Sequence, residues 1–147
     1  MDFTKFDSRA AAEQGRDLHL QNPATAEPIF DGDKPCIVVV RGTESREAQA
    51  ALAKIRKLKM AQDKKDGKDS GDDEASLEDM HQRLVETAIP LVIGFKNINR
   101  GDKPAKAPAD VEWFLNLQLI NGVEGERSFV EQVANHATKR SNFLGNA

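Results

Sequence analysis

The residues of this chain able to do chemistry are three histidines, one cysteine, a run of carboxylates and a cluster of cations. His19, His81 and His136 stand in three separate stretches, with no HxxxH or HExxH spacing to set two imidazoles on one helix face for zinc. They read as surface or partly packed histidines. Cys36 adjoins an apolar run and has no second cysteine to pair with. Its neighbours do not supply the cationic surroundings that activate a thiol, so it reads as a small core residue. Asp63, Asp66, Asp69, Asp72, Asp73 and Glu74 recur at short intervals, a hint of calcium. The run lacks the alternating Asp/Asn pattern, central glycine and terminal bidentate glutamate of a calcium loop, and reads as a solvated linker. The glycines form neither GxGxxG nor a P-loop, and Arg100-Gly101-Asp102 is a turn. No catalytic, metal-ligating or cofactor-binding residue is assigned, and no cofactor is expected.

Lys54, Arg56, Lys57 and Lys59 form the one notable charge cluster. On nucleic acid it would contact a few phosphates with strong salt dependence. The net charge is −3 and the aromatic interleaving of single-strand binders is missing. The cluster therefore reads as the solvated side of an amphipathic helix or as a contact for an acidic partner, and nucleic acid is disfavoured.

The elements that position these groups follow from the pattern. The 147 residues, 39% of them hydrophobic with one Trp, seven Phe and no Tyr, suit one domain spanning 1–147 with a Leu/Ile/Val/Ala core. Phe3 to Gln14 is a short helix stopped by Gly15, with Phe3, Phe6 and Ala10 on one face. Residues 16–41 alternate in polarity, are broken by Asn22-Pro23 and Asp31-Gly32-Asp33, and end in the β-branched run at Ile37–Val40. They form two or three antiparallel strands, with Pro28 starting a short one or keeping it at an edge. Thr43 caps a basic amphipathic helix over 44–61, with Ala48, Ala51, Leu52, Ile55 and Leu58 on its apolar face. Residues 62–75 are a flexible charged loop or a fraying helix end.

The half from 76 to 147 is mainly helical. Ser76 and Asp79 open a helix with Leu77, Met80, Leu84 and Ala88 on one face, ended or bent by Pro90. Leu91–Ile98 is a strand, or Val85–Phe95 a kinked helix. Asp110 caps a helix bearing Val111, Phe114, Leu115 and Leu119, closed at Asn121-Gly122. Ser128 and Glu131 form a capping box for a terminal helix that carries Phe129, Val130, Val133, Ala134 and Ala137 and runs to Lys139-Arg140. Phe143 and Leu144 follow, and apolar residues so near the end dock on a core or a partner. The fold class is α+β: a small N-terminal antiparallel sheet followed by, and packed against, four to five helices. The first residues lack the basic and apolar regions of a secretory signal, and Ile89 to Phe95 is too short for a membrane span, so a cytoplasmic protein with no membrane partner is expected.

Taken in order, several features carry a resemblance. They are Phe3 and Phe6, Ala10-Ala11-Ala12 and Gly15, Leu18-His19-Leu20, Asn22-Pro23-Ala24-Thr25 and Glu27-Pro28. Gly42-Thr43-Glu44-Ser45 then leads into the basic helix, followed by the charged stretch and Gly94-Phe95-Lys96-Asn97-Ile98. The chain closes on Phe129, Glu131-Gln132-Val133 and Arg140-Ser141-Asn142-Phe143-Leu144. The chain resembles the tail assembly chaperones of long-tailed bacteriophages and prophages. The resemblance implies a non-enzymatic protein of the host bacterial cytoplasm. It would hold the phage tape measure protein in an assembly-competent state while tail tube subunits polymerise, and be absent from the finished particle. The expected contact surface is Phe129, Val133, Phe143 and Leu144, followed by the basic face at Lys54, Arg56 and Lys57. A structural virion protein of the tail or head–tail junction, and a small nucleic-acid-binding regulator, are the alternatives. Self-association is left open.

Overall fold

The computed structural model describes residues 1–66 and 76–144. Two aspartates organise its first turns. Asp2 Oδ1 accepts from the Thr4 amide at 2.9 Å and Asp7 Oδ1 from the Ala10 amide at 3.0 Å. The helix expected over Phe3–Gln14 is therefore two pieces, a 3-10 turn at Phe3–Phe6 and α1 at Ser8–Gln14. A side chain that caps Ala10 starts a new helix rather than continuing the old one. The buried residue of α1 is Ala12, while Phe3 and Phe6 are exposed. Gly15 ends α1 with φ +77°, and a Cβ there would lie 2.7 Å from Ile93 Cδ1.

Strands β1 (Arg16–His19) and, further on, β4 (Ile37–Val40) pair antiparallel. Between them β2 (Phe30–Asp31) and β3 (Lys34–Pro35) close a hairpin around Gly32-Asp33, and Pro28 bridges Gln21 alone. The third strand of the main sheet comes from the later half. After a 3-10 turn at Ile89–Leu91 that contains Pro90, β5 (Val92–Lys96) pairs with β4 and leaves β4 central. The stretch 85–98 is thus helix, turn and strand, because Pro90 cannot sit inside a helix without loss of a hydrogen bond. Val38 and Val40 are fully buried, whereas Ile37 and Val39 are half-buried, so the sheet has one inner face. On the outer face Lys96 Nζ reaches Asp17 across the sheet at 3.0 Å.

Helix α2 (Arg46–Asp66) starts from Ser45, not Thr43. Buried Ser45 Oγ accepts from the Ala48 amide at 3.1 Å. Thr43 instead donates its amide (3.0 Å) and hydroxyl (3.3 Å) to the Ala137 carbonyl. The helix also outruns the expected end at 61, and residues 67–75 of the expected loop lie outside the described residues. Helix α3 (Leu77–Ala88) opens on Ser76, whose Oγ accepts from the Asp79 amide at 3.1 Å. Next, β6 (Asn99–Arg100) and β7 (Lys103–Pro104) form a hairpin turning at Gly101-Asp102. Helix α4 (Val111–Leu115) ends before Leu119, and Asp110 does not cap it. That carboxylate accepts from the Lys106 amide at 2.8 Å and pairs with Arg100. Finally α5 (Phe129–Thr138) has the expected capping box of Ser128 and Glu131. The chain turns extended at Lys139, where the terminal helix was expected to close, and then forms a further short helix, α6 (Ser141–Leu144), that was not expected.

The fold is α+β, with the N-terminal strands completed by β5 and the helices packed against them. Its core joins Val38 and Val40, Val85 and Ala88 of α3, Val111, Phe114 and Leu115 of α4, and Val130, Val133 and Ala137 of α5. Phe114 is central. Its ring meets Phe95 edge-on at 5.2 Å and stacks on Phe129 at 5.0 Å, contacts that add to the burial of the rings themselves. Phe114→Ala should lower unfolding free energy by about 3–5 kcal/mol, read as a shift in the urea midpoint. A loss below about 1 kcal/mol would show that this aromatic row does not hold the core.

Candidate partner-binding surface

The terminal apolar residues do not form the surface expected of them. Val133 is 0% and Phe143 3% exposed, while Phe129 is half-buried on Phe114 and Leu144 half-buried on α6. The reason is packing. Helix α5 lies over β4 and against α3 and α4, so the stripe carrying Val130 and Val133 faces the protein's own core. Helix α6 folds back onto α1, with the Phe143 ring against Gly42 and Ala12. A Cβ built on Gly42 would be 3.1 Å from Phe143 Cε2 and 2.7 Å from Ala12 Cβ. Arg16 Nη2 donates to the Phe143 carbonyl at 3.2 Å, and Arg140 pairs with Glu44, which also accepts from Ser8 Oγ at 2.6 Å. The Ser8 and Arg140 hydrogen bonds hold the Glu44 carboxyl below its ordinary pKa. Nothing in the sequence pairs Ala12 and Gly42 with Phe143, because the three are remote in the chain.

The second expected surface is placed on the outside. Lys54, Arg56 and Lys57 are all exposed on α2. The inner side of this helix descends from buried Ala48 through half-buried Ala51, Leu52 and Ile55 to Leu58, which is 64% exposed, while Met60, two residues on and so on another side of the helix, is 68% exposed. The helix therefore extends beyond the body that covers its first turns, and carries two large apolar side chains among its cations. A residue that the body cannot reach gains nothing from facing it, which leaves both free to meet another molecule.

Sequence reasoning missed a further apolar group. Leu77 and Met80 of α3 and Leu117, Leu119 and Val123 of the segment after α4 are each about half exposed. Of the α3 face expected to pack, only Ala88 is fully buried, and the line actually turned inward is His81, Val85 and Ala88. His81 joins the two segments. Its Nδ1 accepts from the Ile120 amide at 3.3 Å, which leaves Nε2 to donate to Asn116 Oδ1 at 2.9 Å. The signal was the apolar excess of Leu115, Leu117, Leu119 and Ile120, more than one short helix can bury on one side.

The other chemistry-bearing residues are scattered. His19 Nε2 lies 2.8 Å from the Ile29 carbonyl. His136 rests edge-on against Phe143, and burial, with Lys139 nearby, holds its imidazole below the usual histidine pKa. Cys36 is buried and its Sγ donates to the Asn97 carbonyl at 3.2 Å, while burial and Asp31 push the thiol up. Among the described residues no three His, Cys, Asp or Glu side chains converge to hold a metal, and no helix is long and apolar enough to cross a membrane. Compared with protein-family models, with curated proteins and with solved structures, the chain matches none.

Two predictions follow from this division of side chains. Leu58→Ser and Met60→Ser should each change stability by less than about 0.5 kcal/mol in denaturant titration, whereas Val133→Asp should abolish the folded state. A large loss from the α2 variants would mean that those side chains pack inside. The second concerns Glu131. Burial works to raise its pKa, but hydrogen bonds from the Ser128 hydroxyl and the Ser128, Gly122 and Asn121 amides outweigh it and hold the carboxyl low. A carboxylate depressed in the fold stabilises above its unfolded pKa, near 4.3. That stabilisation is lost as pH falls through the folded value. Glu131→Gln should thus destabilise at neutral pH, with the gap to the parent narrowing as pH falls below the unfolded value and through the lower folded one. A pH-independent gap would contradict the capping role.

Proposed function

We propose that this chain is a non-catalytic, cytoplasmic binding protein acting as a tail assembly chaperone of a long-tailed phage or prophage, with the tape measure protein as its client. The observation that carries the reading is the exposed apolar set: Leu58 and Met60 on the projecting half of α2, and Leu77, Met80, Leu117, Leu119 and Val123 around His81. Large apolar side chains left at a surface mark protein contact where they share a face, as Leu77 and Met80 do three residues apart on α3, while Leu58 and Met60 present apolar contacts on two sides of α2. The order of sequence features supplies the family, and the apolar and cationic mixture of α2 suits a helical client with acidic flanks. Such a client, long and prone to aggregate, gains from many weak contacts rather than one deep pocket. Lys54, Arg56 and Lys57 would set its orientation and speed its capture at low salt.

The test is co-expression with the tape measure protein of the same phage or prophage genome, followed by affinity purification and analysis of mature particles. Soluble co-purification, with this protein missing from particles, is the expected result. Leu58→Asp with Met60→Asp should cut recovery about tenfold, with this chain's own solubility and melting unchanged. An insoluble tape measure protein together with this protein in purified particles would instead make it a structural virion component.

A further inference from the structure

A cleft of about 200 Å³ opens where β1 meets α5, with a wall unlike the rest of the molecule. Arg127 stands at one end of α5 and Lys139 at the other. Between them lie His19 of β1 and His136 and Asn135 of α5, with Gln132 bridging the two elements. No carboxylate lines it, in a chain whose net charge is −3. The adjoining cleft of about 320 Å³, which shares Gln21, Arg127 and Gln132, does carry an acid, Glu124.

The frame of the cleft is tied together by hydrogen bonds. Gln132 Oε1 accepts from the Gln21 amide at 2.9 Å, and its Nε2 donates to the Gln21 and Arg127 carbonyls at 2.9 Å each. One side-chain amide thus fastens the end of β1 and the entry of α5 to each other, which fixes where Arg127 leaves the backbone. His19 is held to the Ile29 carbonyl and His136 against Phe143. His136 is the odd member, for its Nε2 is buried without a hydrogen-bond partner. A buried polar atom left so is costly unless something else offsets it. Arg140, by contrast, is already paired with Glu44 and so does not serve the cleft.

We propose that the β1–α5 cleft binds a small oxyanion of the phosphate or phosphate-monoester class, held by Arg127 and Lys139 and bordered by His19 and His136. Two exposed cations reaching into one cleft can neutralise a dianion, and a guanidinium fork can match two of its oxygens. The Asn135 carboxamide can donate to a third, and the volume exceeds that of a bare tetrahedral anion, so room remains for an organic substituent. An anion in this place would also favour the imidazolium of His136, which burial and the nearby Lys139 disfavour. This site is independent of the partner reading above, since it shares none of the exposed apolar residues.

The experiment is a heteronuclear NMR titration of the full chain with inorganic phosphate, then with O-phosphoserine, at ionic strength held constant with sodium chloride. Saturable shifts confined to residues 127, 135, 136 and 139, and a His136 titration midpoint moved upward by phosphate, are expected. Tighter binding of O-phosphoserine would identify the monoester, and equal or weaker binding the free anion, as the form held. Arg127→Ala and Lys139→Ala should each weaken binding about tenfold while leaving the remaining spectrum in place. Shifts that chloride alone reproduces, a His136 midpoint indifferent to phosphate, or affinity unchanged in the double variant would overturn the proposal.

Discussion

Packing of α5 on the inner face of β4 is the constraint from which the rest of the structure follows. Val130, Val133 and Ala137 are fully or almost fully buried there, and every layer touches them or their neighbours. The sheet presents Val38 and Val40 from below, α3 adds Val85 and Ala88, and α4 adds Phe114 stacked on Phe129. The same helix fixes the entry to α2, because both donors of Thr43 close on the Ala137 carbonyl at the end of α5. With Thr43 occupied in this way, capping passes to Ser45. One helix placed at the end of the sequence thus fastens elements formed by its first third, and its own start is secured locally by Ser128 and Glu131.

That constraint also decides which surfaces are left for function. A terminal helix with an apolar stripe has the same sequence pattern whether it meets its own core or a client, since both require apolar residues at helical spacing. Here β4 takes the stripe, and Phe143 is taken by Gly42 and Ala12. Apolar contact with another molecule then falls to side chains that the body cannot reach: the far turns of α2 and the group around His81. The proposed chaperone role would be served by this arrangement, since a client held through half-exposed side chains would leave the core intact.

Much of the architecture was legible in the residues, and each departure has a physical cause, local in some places and remote in others. The capping boxes and caps at Ser128 and Ser76, the Gly15 stop, the β-branched strand at Ile37–Val40 and the turn at Gly101-Asp102 depend on neighbours in sequence, so they were readable. Asp7 divided the first helix because a side chain that caps competes with continuation. The choice between Thr43 and Ser45 depended on Ala137, 94 residues away from Thr43, and was not. Asp110 does not cap α4 because its carboxylate is drawn to Lys106 and Arg100, and the helix stops at Leu115 because Asn116 leaves the helical conformation and its side chain donates to the Glu112 carbonyl. The terminal contact surface was misplaced for the reason given above: pattern reveals an apolar face without its partner. The basic face at Lys54, Arg56 and Lys57 was readable because no buried partner competes for those charges.

The central claim is that client contact uses the far half of α2 and the apolar group around His81, while α5 stays sealed in the core. Amide hydrogen exchange on the purified chain, alone and bound to the tape measure protein, tests it directly. Added protection over residues 54–61, 77–80 and 117–123, with α5 equally protected in both states, is the predicted result. Protection that changes only in α5 and α6 would contradict the account, for it would mean that the terminal helix leaves the core to hold the client.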